Sequence, residues 1–221
     1  MIHRFVKRRF FLVLVSIGAL LISLRFVFQI WPWTFKVVSV SMSPTLEPGD
    51  AVFANRFAYW KTVPSNGDLV VFRFPTQDKN NPHYGKSFVF RVCAVAGDMV
   101  VIRNKQLFVN EVKEENPQVH FVDNEIIPKD SELIADFQQV WLAGRGSSFG
   151  MGIRDNFGPI KIPDSHVFVL GDNRDRTYDS RYWGPLPVCN IIGKATRVHP
   201  NNSDEPDGGR YMWPTAGLTT S

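Results

Sequence analysis

Asn66-Gly67-Asp68-Leu69-Val70-Val71-Phe72-Arg73-Phe74-Pro75 is a turn, a short strand and a stop in ten residues. The Asn-Gly-Asp triplet supplies turn chemistry, the next six residues are mostly β-branched or aromatic, and the proline ends the run because it has no N–H for a ladder. The same grammar recurs on either side. Glu47-Pro48-Gly49-Asp50 turns into Ala51-Val52-Phe53-Ala54, and Ser87 to Val95 is an apolar, β-branched run closed by Gly97-Asp98. Met99 to Arg103, a turn at Asn104-Lys105 and Gln106 to Asn110 read as a hairpin. Lys36 to Val40, Val167 to Leu170 and Ile191 to Val198 complete the predicted strands. No long 3.6-residue periodicity occurs past residue 36, so the pattern predicts a mainly β fold.

The chain has 221 residues, room for one medium domain with an insertion. Its formal charge of +4 is unevenly placed. Arg4, Lys7, Arg8, Arg9, Arg25 and Lys36 are the only charged residues before position 37, and the remainder holds 19 basic and 21 acidic residues. A basic excess confined to one end argues against nucleic acid as a partner. Phe10 to Leu24 is uncharged and mostly apolar, and beyond Arg25 the run resumes to Ile30. Fifteen residues are short for a span, which takes about 20. With Arg25 snorkelling and Trp31 and Trp33 at the interface, one N-terminal transmembrane helix from about Phe10 to Ile30 is expected. A cleaved secretory signal is the other reading. The cluster at residues 4–9 belongs on the cytoplasmic side, so either reading exports residues 37–221. Membrane lipid is thus an expected partner.

The expected organisation is a cytoplasmic N-terminus and anchor (1–36), an extracytoplasmic domain (37–198) with an inserted smaller β and loop region at about 104–160, and a tail (199–221). Residues 111–160 are polar and broken by Pro117, Pro128 and several glycines, and the tail composition predicts poor order. Cys93 and Cys189 allow one disulfide in an oxidising compartment, or two buried thiols, and their spacing fits no metal site.

Two segments carry chemistry. Ser39-Val40-Ser41-Met42-Ser43-Pro44-Thr45-Leu46 follows the apolar run. Gly171-Asp172-Asn173-Arg174-Asp175-Arg176-Thr177-Tyr178-Asp179-Ser180-Arg181-Tyr182-Trp183-Gly184-Pro185 packs acids, arginines and an amide too densely for a simple strand or helix, and predicts a self-satisfying turn. With Gly67 to Phe72, these segments resemble the motifs of bacterial type I signal peptidases, the membrane-bound serine endopeptidases of family S26. The resemblance runs from the anchor to about residue 198 and is weakest over 104–160.

The resemblance implies a signal peptidase-like β-rich catalytic core, no cofactor, no metal and precursor proteins with signal peptides as partners. It implies location in a bacterial cytoplasmic membrane, with the catalytic domain on the periplasmic side. Ser41 takes the place of the nucleophile, and the Ser41 N–H with the Ser39 hydroxyl that of the oxyanion hole. Val37, Val38, Met42, Leu46, Phe88 and Val89 match the shallow groove that selects small residues, as in Ala-x-Ala, for a substrate added as a strand. Asp172, Asn173, Arg174, Asp175, Asp179 and Arg181 would hold the turn, and Thr177 would orient the base.

The family's base motif, Lys-Arg-x-x-Gly-x-Pro-Gly-Asp, is departed from at its first residue. Aligning Arg91 and Gly97-Asp98 puts Phe90 where the lysine belongs. A buried lysine serves because desolvation favours its neutral amine; phenylalanine has no proton to exchange, and arginine stays protonated. Lys86 shares a strand face with Phe90 but lies about 13 Å along it. His83 is further away, and His166 and His199 read as surface or structural. Two functions follow: a peptidase that cleaves signal peptides from exported precursors, or an impaired relative that binds precursors or assists assembly of a secreted fibre or pilus.

Overall fold

The computed structural model describes residues 13–23, 33–128 and 136–201, with the backbone of 210–211. The chain divides into two compact units, Met1–Trp33 and Thr34–Ser221. In the first, residues 13–23 form helix α1, whose Val13, Leu14, Val15, Ile17, Leu20, Leu21 and Ile22 are all exposed. The rest of the expected span lies outside the described residues, among which no helix is long and apolar enough to cross a membrane.

The second unit is built on two sheets. The larger runs in the order β1 (Trp33–Lys36), β2 (Ala51–Asn55), β11 (Ile191–His199), β3 (Leu69–Arg73), β4 (Ser87–Val95), β9 (His166–Leu170), β10 (Leu186–Pro187), with β12 (Arg210–Tyr211) added to β11. The smaller runs β7 (Val112–Lys113), β6 (Gln106–Val109), β5 (Met99–Arg103), β8 (Phe157–Lys161). Two short helices, α2 (Phe137–Leu142) and α3 (Ser180–Trp183), complete the elements used below.

β9 shows why a strand here need not alternate apolar with polar. Val167 and Val169 enter one core, with Val70, Phe72, Phe90 and Trp183; Phe168 and Leu170 enter the other, with Trp141, Phe157 and Ile160. A strand buried on both faces reads as a continuous apolar run. β4 divides likewise: Phe90 and Val92 face the first core and Cys93 and Ala94 the second, across a register shift between Val92 and Ala94. The strand through Leu69–Arg73 lies mid-sheet, with its first four residues buried.

Four sequence expectations are altered. The hairpin turn at Asn104-Lys105 forms, both residues with positive φ, but β5 pairs with β8 as well as β6, so the second sheet starts at Met99 rather than 104. The region expected to hold only hairpins and loops also contains α2, whose Trp141 is wholly buried and donates from Nε1 to the Ser180 carbonyl at 2.6 Å. The first strand lies at Trp33–Lys36, because the chain from Val40 to Met42 coils into a 3-10 turn. In the tail, whose composition suggested poor order, Arg210 and Tyr211 pair with Val198 and Arg197. Cys93 is a buried free thiol, and Cys189 is free and exposed, so they form no disulfide. Burial, with Glu114 nearby, pushes the Cys93 thiol pKa up, so it stays protonated and inert.

Candidate active site

Ser41 sits in the 3-10 turn just ahead of two residues sunk in the first core, Met42 and Leu46. Their burial fixes the turn from below, while the charged turn fixes it from the side. Asn173 donates its backbone N–H to the Ser41 carbonyl and its Nδ2 to the Val40 carbonyl, both at 3.1 Å. Gly171 is a glycine for a steric reason: a Cβ there would lie 2.4 Å from the Ser41 carbonyl oxygen and 2.5 Å from Thr177 Oγ1. The Ser41 hydroxyl donates to the Arg176 carbonyl at 3.3 Å and meets the Ser39 hydroxyl at 3.3 Å. Ser39, Ser41, Asn173 and Thr177 thus converge, though they come from opposite ends of the domain.

Asp172, Arg174, Asp175, Asp179 and Arg181 of the turn each have a charged partner. Asp172, fully buried, takes a bidentate clasp from Arg91 Nε and Nη2, each 2.7 Å, and a hydrogen bond from Thr45 Oγ1 at 2.5 Å. Arg91 also donates to the Gly67 carbonyl at 3.0 Å. Asp179 pairs with Arg181, which reaches on to the Arg154 and Arg174 carbonyls. Arg174 donates to Gly171 O and pairs with Glu114 at 2.6 Å. Asp175 accepts from Lys105 Nζ at 3.0 Å and from the Val122 and Asp123 amides. The partners Thr45, Glu114, Lys105 and Asp123 were not singled out from the sequence. Only the near balance of charges hinted at them, and the Arg176 carbonyl, a backbone atom, leaves no sequence signal.

Phe90 is 3% exposed and packs its ring on Phe72 and Phe88 with centroids 5.7 and 6.1 Å apart. Among the described residues no amine or imidazole lies within hydrogen-bonding distance of Ser41 Oγ, whose contacts are a hydroxyl and a carbonyl. Thr177 Oγ1 and Asn173 Oδ1 are buried and have no hydrogen-bond partner. Lys86 is exposed. Burial acts against the Lys105 ammonium, but the hydrogen bonds it donates to Asp123 and Asp175 outweigh that and hold the proton. His166 Nδ1 lies 2.8 Å from the Asp164 carbonyl, and His199 ends β11 in solvent.

Of the expected groove residues, Val38 is 85% exposed, Val37, Phe88 and Val89 are half-buried against the first core, and Met42 and Leu46 lie beneath it. The β4 segment Ser87–Phe90 pairs with β3 on one edge only, since β9 covers Arg91 to Val95. Its other edge, among the described residues, has no strand partner.

His83 closes the end of this region, its ring 5.0, 5.4 and 5.7 Å from those of Phe74, Phe88 and Tyr178. Burial, then Lys86, hold its imidazole pKa below the ordinary value. A depressed pKa means the folded state resists the imidazolium, so stability present above about pH 6.5 declines as pH falls through that value. Melting temperatures from pH 7.5 to 5 should fall more steeply for the native chain than for His83→Gln; equal slopes would remove His83 from the acid response.

The family model described as "Signal peptidase, peptidase S26" matches residues 5–199. The chain belongs to the signal peptidase S26 family. It is 34% identical over 164 residues to thylakoidal processing peptidase 1 of Arabidopsis thaliana, covering 72% of this chain and 39% of that protein. It is 28% identical over 196 residues to signal peptidase I U of Bacillus subtilis, covering 88% of each. A solved signal peptidase I from Enterococcus faecalis superposes with a TM-score of 0.41 at 23% identity, covering 60% of this chain and 97% of that one. The chain thus spans about two fifths of the length of the thylakoidal processing peptidase.

Proposed function

We propose that the chain is a membrane-anchored serine endopeptidase that removes signal peptides from exported precursors by cutting after small residues. The observation that carries this reading is the half-exposed Ser41, whose carbonyl is held by Asn173 and whose hydroxyl meets that of Ser39, in a domain where β4 leaves one edge of Ser87–Phe90 without a strand partner among the described residues. A precursor laid along Ser87–Phe90 forms an added strand. Val37, Val38, Phe88 and Val89 line its path, while Met42 and Leu46 set the floor from below. Ser41 Oγ attacks the scissile carbonyl. The Ser41 N–H and the Ser39 hydroxyl donate to the oxygen as it gains charge, and removing one such donor typically costs about 10²–10³ in rate. No metal or cofactor enters this scheme. The exposed apolar face of α1 belongs in lipid, with residues 37–221 outside the cytoplasm.

A second reading is favoured by Phe90. With a ring where an amine is needed, the site can hold a precursor without cutting it, as a binding or assembly module. Both readings use the same groove, and one experiment separates them. Detergent-solubilised full-length protein is incubated with a model precursor carrying Ala-x-Ala. Cleavage that Ser41→Ala abolishes, with precursor binding retained, establishes the peptidase. Binding without cleavage in both proteins establishes the module. Full cleavage by Ser41→Ala would remove Ser41 from the mechanism.

A further inference from the structure

The charged turn leaves one cation over. Its three aspartates, Arg174 and Arg181 each hold a charged partner, whereas Arg176 is exposed and has no ion-pair partner among the described residues. Arg176 is also the charged residue of the turn that meets the Ser41 hydroxyl. Its N–H donates to the Asn173 carbonyl at 3.2 Å, closing a four-residue turn whose two ends both hold the serine: the Asn173 N–H donates to the Ser41 carbonyl, and the Arg176 carbonyl accepts from the Ser41 hydroxyl. Thr177, the next residue, is buried against Gly171. The backbone is therefore fixed on either side of Arg176 while the residue itself stays in solvent. The surroundings carry the same sign. Between Asp68 and Asp98 the sequence has four basic residues and a single acid, Asp78, whose Oδ1 accepts from the Asn80 amide. Lys86 precedes Ser87 at the start of the unpaired edge of β4, and Arg73 is the cross-strand partner of Ser87. Both are exposed, and neither has an ion-pair partner among the described residues. Lys86 is near enough to His83 to disfavour its imidazolium, which puts the ammonium at the end that His83 closes with Tyr178.

We infer that Arg176 is a specificity-determining residue for a carboxylate beside the scissile bond, so that the groove takes acidic peptides in preference to neutral or basic ones. A guanidinium presents paired N–H donors that match the two oxygens of a carboxylate, and at this position none of them is committed to another charge. Arg174 and Arg181, by contrast, are buried and spent on Glu114 and Asp179. Lys86 and Arg73 add a field of the same sign along the groove, which draws in a negatively charged chain without fixing its register. A carboxylate at the cut has two sources: the side chain of an Asp or Glu that follows the cut, and the carboxyl terminus that cutting creates. The inference rests on the reading of Ser41 and the β4 edge as a peptide groove, and it holds whether or not the chain cleaves what it binds.

The test measures binding of labelled Ala-x-Ala peptides to detergent-solubilised full-length protein by fluorescence anisotropy, in a Ser41→Ala background so that no peptide is consumed. One pair of peptides spans the cut and carries Asp or Asn immediately after it. A second pair ends at the last Ala, as the free acid or the amide. The acidic member of a pair should bind about fivefold more tightly than its neutral twin at low salt, the upper end for an exposed ion pair. The ratio should approach one in 1 M salt, where such pairs are screened. Arg176→Gln should bring the low-salt ratio to near one, Arg176→Lys should keep part of it, and Arg176→Glu should turn the preference toward a peptide with Lys after the cut. A preference confined to the first pair assigns the carboxylate to the residue after the cut, and one confined to the second pair assigns it to the new terminus. Equal binding within both pairs would overturn the inference and leave the groove standing. A ratio that survives Arg176→Gln would also overturn it, since recognition would then belong to other cations. Failure of all four peptides to bind would overturn groove and inference together.

Discussion

Replacing Phe90 with lysine is expected to raise the rate of precursor cleavage by roughly 10²–10⁴-fold, the usual worth of general-base assistance. Position 90 lies on the face of β4 that looks into the first core, and its ring is flanked by Phe72 and Phe88. An amine carried into this apolar setting is stripped of water, which favours the neutral form near pH 8. Thr177 Oγ1 is buried without a partner on the same side of Gly171 as the Ser41 carbonyl, so an acceptor is free for the new N–H. Packing is lost when the ring goes, but the four-carbon stem of lysine recovers part of it. The check is the cleavage rate of an Ala-x-Ala precursor by native and variant chains from pH 6 to 10. The variant should show a rising limb that marks deprotonation of the new amine. A folded variant with no gain would mean that position 90 does not face Ser41 or that the native chain already has a base; a fast native rate would favour the latter.

Asp172→Ala is expected to be the most destabilising single change in the charged turn. It leaves the Arg91 guanidinium, 6% exposed, with the Gly67 carbonyl alone, and strips the Thr45 hydroxyl of its acceptor. Breaking a buried pair by removing one partner costs about 3–5 kcal/mol. In a chain of this size each kcal/mol moves the melting temperature by roughly 2–4 °C. Calorimetry should therefore show a drop of roughly 6–20 °C, with most of it recovered when Arg91→Met is added, because the stranded charge is then gone. A loss under about 1 kcal/mol in the single variant would mean that water reaches Arg91 and that the pair is not the tie described.

Strands were legible where a turn signal met a β-branched run, as at Gly67-Asp68 before Leu69, because both are local properties. The 3-10 turn at Val40–Met42 was not legible: its sequence suits a strand, and it coils because Met42 and Leu46 find the first core while Asn173, 132 positions after Ser41, takes its carbonyl. The second sheet was misjudged at its boundary because the β5–β6 hairpin is a local signal and the β5–β8 pairing is not. In the site, Ser39, Ser41 and Thr177 were readable from motif resemblance, and the structure brings them together. The partners of the charged turn were not readable, since Glu114, Asp123 and Lys105 lie in the stretch where that resemblance is weakest.

The turn's choice of partners has a thermodynamic consequence. Asp172 grips Arg91 on β4, whereas Arg174 and Asp175 grip Glu114 and Lys105, which belong with the smaller sheet. Fifteen residues thus bolt together two cores that, among the described residues, are otherwise joined by strands β4 and β9. Neither core can melt and leave the other intact without unpairing buried charge, so the domain should denature in a single calorimetric step. The amides of Asn173 and Arg174, bound to Ser41 and His120, should exchange their hydrogens only as fast as the whole domain opens. The loop that carries Ser41 would then be among the last places to loosen on heating, and loss of function would track global denaturation without an earlier, local phase.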